Sequence, residues 1–306
     1  MNIKSFFLDA RGRLRSGYRF LIFFFSFVIV VSLLGEITRP ILESLGVQTA
    51  APTGGGILVN FLVVLIPALL LGWLSGKMLE GLPFRALGAW FSKGWFRNLL
   101  LGLVVGAATL SFAVLIAFVF GGLRFTPNTV DTTALLKSLT LAFGVFAVGS
   151  AGEEVLFRGY ILQTFTRSDL AWFGILLTSV FFGAVHLQNE NADAISTINT
   201  MLAGVWFGIA YLKTRDLWFV WGLHLMWNWM QGAFFGIEVS GFTNLVSTPL
   251  LKEVDSGPTW LTGSTYGVEA GIVTTIAIVV SMVVIYFLPI KPSEEIRSSE
   301  THSQPV

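Results

Sequence analysis

The sequence predicts an all-α fold, a polytopic transmembrane helical bundle of about eight spans with a polar catalytic chamber inside the membrane. Three observations lead there. The 306 residues are 54% hydrophobic and only 12% charged, about half the charge of a soluble domain. The apolar residues fall in runs of the length that crosses a hydrocarbon core of about 30 Å. One of those runs carries Glu153, Glu154 and Arg158, although a charge near the bilayer centre costs about 2.5–3.5 kcal/mol even on the gentlest scale. Residues 18–290 read as a single transmembrane domain whose motif-bearing core is about 140–235. A basic N-terminus, 1–17, precedes it and a polar tail, 291–306, follows.

The first span, Tyr18–Leu34, follows Lys4, Arg11, Arg13 and Arg15. It is too long for a signal-peptide core and lacks a nearby small-x-small cleavage site, so it reads as an anchor. The second is Ile57–Leu74. Lys77–Arg97, with Trp90 and Trp95, reads as a basic amphipathic linker in the interface. Spans three to five are Leu99–Phe120, Leu135–Leu162 and Leu170–Leu187; the sixth, Thr200–Leu212, is short for a crossing. The seventh is Leu217–Phe235. A loop rich in Gly, Ser, Thr and Pro, Gly236–Gly267, leads to the eighth, Glu269–Leu288, and the tail has the composition of a disordered segment.

With the N-terminus inside, all of the 19 Lys and Arg except Arg39, Arg124, Lys137 and Lys252 collect on the cytoplasmic side. That bias predicts an integral membrane protein with both termini cytoplasmic. A net charge of +1 gives nucleic acid no purchase, and the lack of cysteine removes disulfides and thiol catalysis. The pairs Gly102/Gly106, Gly204/Gly208 and Gly232/Gly236 are packing spacings that let helix backbones approach. No internal repeat is visible, which weakens a transporter built from inverted halves.

On a helix Glu154 and Arg158 are i,i+4 neighbours in the favourable order. Glu153 points about 100° away, so the two acids are not expected to serve one partner on one face. One carboxylate is then held by arginine and the other is left for different work. His186 ends span five, and His224 and Asn228 lie one turn apart on span seven. Counted from a turn near Ser168, Glu153 and His186 both stand roughly 22–27 Å along their helices, and His224 and Asn228 rise about 12 and 18 Å from Asp216, so that all can meet in one polar chamber. A lone membrane His is as often an interhelical hydrogen bond as a functional group, and a lone Asn is more often packing glue. Two Glu, one Arg, two His and one Asn taken jointly are hard to explain as independent glue, and the reactive reading is hydrolysis. A carboxylate beside a histidine can deprotonate water, and a His–Asn pair can donate to an oxyanion.

These residues resemble the CAAX protease and bacteriocin-processing (CPBP; Abi or Rce1-like) family of intramembrane proteases. Its E-E-x-x-x-R, F-x-x-x-H and H-x-x-x-N/D motifs are matched by Glu153-Glu154-x-x-x-Arg158, Phe182-x-x-x-His186 and His224-x-x-x-Asn228. The stretch Ser256–Gly263 also looks like bacterial members, which implies a bacterial plasma membrane. The resemblance implies a metalloendopeptidase acting on a membrane-tethered peptide or protein in the lipid bilayer. Glu153 with His186 would activate water, Arg158 would position Glu154, and His224 with Asn228 would stabilise the oxyanion. The family's usual classification also implies a divalent metal, with zinc held by Glu153, His186 and His224 as the form that ligand set suggests. Two other readings stay open: a non-proteolytic scaffold or bacteriocin-immunity protein, and a proton-coupled transporter using the same acids and histidines as a relay.

Overall fold

The computed structural model describes residues 6–10, 12–47, 54–243 and 245–293. The helices are α1 (Ser16–Ser44), α2 (Gly54–Glu80), α3 (Trp95–Val119), α4 (Thr132–Glu154), α5 (Leu162–Thr166), α6 (Ala171–His186), α7 (Ala194–Thr214), α8 (Leu217–Trp229), the short α9 (Thr259–Thr262) and α10 (Ile272–Phe287). A π-helical stretch, Val155–Ile161, joins α4 to α5 without a break, and a second, Met230–Phe234, extends α8. Five helical segments are long and apolar enough to cross a membrane: α1, α2, α3, α7 and the run Thr132–Thr166. α6 and α10 are shorter apolar helices. Together with the α8 run, every expected span is a helix.

Three expectations need correction. The sixth span is not short: α7 is 21 residues long and starts at Ala194. Its first turns contain Ser196, Thr197, Asn199 and Thr200, whose polarity hides the start, while Asp193 and Ser196 form a capping box. Lys77–Arg97 is not one linker, because α2 runs on to Glu80 and α3 begins at Trp95. Between them a 3₁₀ turn, Phe84–Leu87, buries Ala86 and Leu87 in the protein. Finally, Gly236–Gly267 is not a plain loop. Its β2 (Leu251–Asp255) pairs antiparallel with β1 (Leu123–Pro127), Leu123 opposite Asp255 and Pro127 opposite Leu251. Two five-residue strands in different connections carry too little period-two signal to be read locally.

The glycine spacings do what their pattern implies. A Cβ on Gly102 or Gly106 of α3 would collide with the carbonyls of Phe219 or Leu223 on α8, and one on Gly204 of α7 would meet Ser179 of α6. Backbones touch there. Gly236 departs from the pattern: it lies beyond the helix with φ +71. At the end of the bundle where α4–α5 turns into α6, Arg19 of α1 sits 2.5 Å from Glu80 of α2. Arg167 grips the same carboxylate with two bonds of 2.9 and 2.8 Å. The first span is thus tied to the core by a fully buried ion cluster.

Candidate active site

The site grows from the point where α4 loosens. Ala142, Phe146 and Ser150 bury one face of α4, and that face brings Glu153 and Glu154 to the interior, where the helix widens into its π stretch. Such stretches accumulate at functional sites because the extra residue per turn re-aims side chains. Glu154 is 1% exposed and Arg158 is fully buried, with Arg158 Nη1 donating to Glu154 Oε1 at 3.1 Å. Arg158 Nη2 also donates to the Gly204 carbonyl at 2.9 Å, and the guanidinium lies 5.0 and 5.2 Å from the ring centres of Phe182 and Phe207. A charge so enclosed needs the carboxylate, the carbonyl and the aromatic faces together.

His224 of α8 bridges the two acids. Its Nδ1 lies 2.9 Å from Glu154 Oε1 and its Nε2 3.9 Å from Glu153 Oε2. The expectation that adjacent glutamates cannot serve one partner fails because an imidazole offers two nitrogens on opposite edges. Phe207 stacks on that ring at 4.6 Å and 22°. His186 is oriented differently: Nδ1 lies 2.6 Å from the Phe182 carbonyl. A carbonyl can only accept, so Nδ1 carries the proton and Nε2 keeps its lone pair.

Glu153, His186, His224 and Asn228 all line one cavity of about 250 Å³. Glu154 and Arg158 stand behind it. Glu153 Oε2 is buried without a hydrogen-bond partner, in a structure where most such atoms are paired. The donor chemistry suits a metal, since each histidine has one nitrogen engaged by an oxygen and the other left over. The spacing does not: among the described residues no three His, Asp or Glu side chains converge closely enough to hold an ion.

The chamber holds residues that sequence reasoning passed over. Glu269 lines it from a 3₁₀ turn, Val268–Ala270, before α10 starts. It accepts from Trp227 Nε1 at 3.3 Å and from the Ser240 hydroxyl at 3.1 Å. At the edge of an apolar run it looked like a span boundary; its flanking glycines, Gly267 and Gly271, were the available signal. Asn189, Asn199 and Ser240 also face the cavity, and no spacing distinguished them from helix ends and loop.

Outside the spans, Asp216 caps α8 by accepting from Trp218 N at 2.8 Å and from Asn98 Nδ2 at 2.7 Å. Burial pushes its carboxyl up to about 6 against those bonds.

Comparison with known proteins points the same way. Over 147 residues the chain is 26% identical to YyaK, an uncharacterised protein of Bacillus subtilis (strain 168), covering 48% of this chain and 46% of that one. Over 112 residues it is 30% identical to YdiL of the same organism, named as a candidate membrane peptidase, covering 36% and 44%. The chain spans less than half the length of these curated relatives. Residues 135–230, the stretch that supplies Glu153, Glu154, Arg158, His186, His224 and Asn228, match the family described as type II CAAX prenyl endopeptidase, Rce1-like.

Proposed function

We propose that this integral membrane protein is an intramembrane endopeptidase that hydrolyses peptide bonds of membrane-tethered substrates with a water activated by Glu153 and His186. One observation carries the reading: Glu153, whose Oε2 is buried without a hydrogen-bond partner, lines a cavity with His186, His224 and Asn228. A water there meets a proton acceptor on Glu153 and the Nε2 lone pair of His186, the two groups a general-base step needs. As its oxygen attacks the carbonyl carbon, its proton passes to Glu153. The developing oxyanion takes hydrogen bonds from Asn228 and from His224, which donates in its doubly protonated form, with Nδ1–H on Glu154 and Nε2–H towards the cavity. Collapse of the tetrahedral species breaks the C–N bond, and the leaving nitrogen takes the proton back from Glu153.

Arg158 and the rings of Phe182 and Phe207 keep Glu154 and His224 in place and touch no reacting atom. No step is assigned to a metal, because the three expected ligands do not converge as they stand. The reading is tested with purified full-length protein and a library of membrane-tethered peptides, wild type beside Glu153→Gln, with products identified by mass spectrometry. Products in both samples, or in neither, reject it.

A further inference from the structure

The hydrolytic reading leaves one half-buried carboxylate of the chamber without a task. Glu269 belongs to α10's lead-in turn, which α7 holds fast: Asn199 Nδ2 donates to the carbonyls of Glu269 and Gly271 at 2.8 and 3.0 Å. Its side chain divides its two oxygens between two partners. Oε1 accepts from Trp227 Nε1, next to Asn228 on α8, and Oε2 accepts from both the backbone N–H and the hydroxyl of Ser240. A carboxylate suits this arrangement because both oxygens accept; a glutamine would turn an NH₂ towards a donor.

Ser240 sits in the segment 237–243, which crosses the chamber and supplies Val239, Ser240 and Phe242 to its wall. Other bonds sew that segment down along its edges. Asn189, just past α6, donates to the Ser240 carbonyl at 3.0 Å, and Gly241 N donates to the Tyr266 carbonyl at 3.1 Å. Gly241 and Gly267 have φ +84 and +90, and a Cβ on either would collide with the carbonyls of Glu190 or Glu238. The segment is therefore a strap pressed between α6 and the turn. Two side chains tie it to the interior: Glu269 at Ser240, and the buried Gln231, whose Nε2 donates to the Glu238 carbonyl.

We propose that Glu269 is a positioning residue of this site, latching residues 237–243 across the chamber so that the strap forms the wall against which a bound peptide is held. The kinetic part of this proposal rests on the peptidase reading; the latch itself does not. Losing the latch then weakens substrate binding while Glu153 and His186 keep their chemistry, the pattern of a change in KM at near-constant kcat.

The test uses full-length protein in phospholipid vesicles and exploits the absence of native cysteine. Val239, 4% exposed, is replaced by cysteine as a reporter, and its maleimide reaction is timed with and without Glu269→Gln. We expect labelling to accelerate about tenfold as the strap opens. In the native Val239 background, with the library peptide that wild-type protein cleaves fastest, we expect KM to rise about 10-fold and kcat to stay within about twofold. Ser240→Ala, which loses the hydroxyl donor but keeps the backbone N–H, moves both readouts the same way by less. It carries the test, with Trp227→Phe, should Glu269→Gln fail to fold. Unchanged labelling overturns the latch, and faster labelling at unchanged KM overturns the positioning role. A fall in kcat at constant KM places Glu269 in the chemistry and overturns the proposal as well. If Glu153→Gln retains full turnover, the peptidase mechanism falls, while the labelling experiment still decides the latch.

Discussion

Two adjacent glutamates end in different circumstances because a single imidazole lies between them. Glu154 is occupied by Arg158 and by His224 Nδ1, whereas Glu153 keeps one oxygen without a hydrogen bond, 3.9 Å from His224 Nε2. We therefore expect Glu153→Gln to lower kcat by about 10²–10⁴, the usual worth of a general base, with no loss of folded protein. The comparison of turnover with the thermal midpoint of the same sample checks it. Arg158→Ala should instead cost about 3–5 kcal/mol of stability, because it removes the guanidinium from a buried carboxylate and leaves it His224 alone. A wild-type midpoint for that variant would show that His224 suffices to hold Glu154. Chelation should leave turnover unchanged, with elemental analysis giving well under one metal per active chain; loss of activity restored by zinc would show that the ligands close up around an ion. The Glu154–Arg158 pair was legible in the sequence because it lies within one helix turn. The His224 bridge was not, since it depends on how α8 faces α4, which no local spacing records. Glu269 escaped for the same reason.

Among the elements, helices were easy to read and their ends were not. Long apolar runs declare themselves through composition, but α7 begins in polar residues that serve as its cap and as chamber wall. The α3–α8 contact depends on glycine, so Gly102→Val should cost about 1–3 kcal/mol or more, because a backbone carbonyl cannot step aside as a side chain can. Thermal unfolding in detergent, beside Gly144→Val, where a Cβ meets nothing within 4 Å, isolates that effect from helix propensity. The β1–β2 pair carries its own pH dependence. Burial, with Glu238 and Asp255 nearby, pushes Glu253 up to about 8 from an ordinary 4.5. When the strands come apart the group ionises earlier, so the pairing is strongest below about pH 4.5 and weakens as pH rises through 8. A nitroxide at Lys252→Cys, an exposed position, should gain mobility between pH 5 and 9, and Glu253→Gln should flatten that response.

At the scale of the molecule, distant parts of the chain close over one chamber. β1 and β2 come from different inter-helix connections and meet in register. Arg19 near one end of the sequence is buried against Glu80 and beside Ser168, 149 residues away. Composition foretold the long apolar helices; what it could not foretell was that Arg19, counted as a topological charge, is locked inside. The orientation is directly testable. Ser92 is 8% exposed and makes a poor label site, but Lys93 and Ser256 are exposed. Cysteine at Lys93 should react only from the cytoplasmic side and cysteine at Ser256 only from outside. The reverse pattern at both positions would overturn the charge argument. Ser5, Thr53 and Ser298, equally natural label sites by sequence, lie outside the described residues.

Two of the helices that present the chamber's polar groups widen just after doing so, α4 beyond Glu154 and α8 beyond Trp229. A π turn holds one residue more than an α turn closes over. Chain length is therefore less strictly fixed at Val155–Ile161 and Met230–Phe234 than anywhere else in those helices. Removing Met230 lets the backbone fall back to 3.6 residues a turn while His224 and Asn228 keep their positions on α8. Removing Val220, within regular helix, rotates everything after it by about 100°. The first deletion should leave folded protein in the membrane and the second should not, a difference that yield alone would reveal.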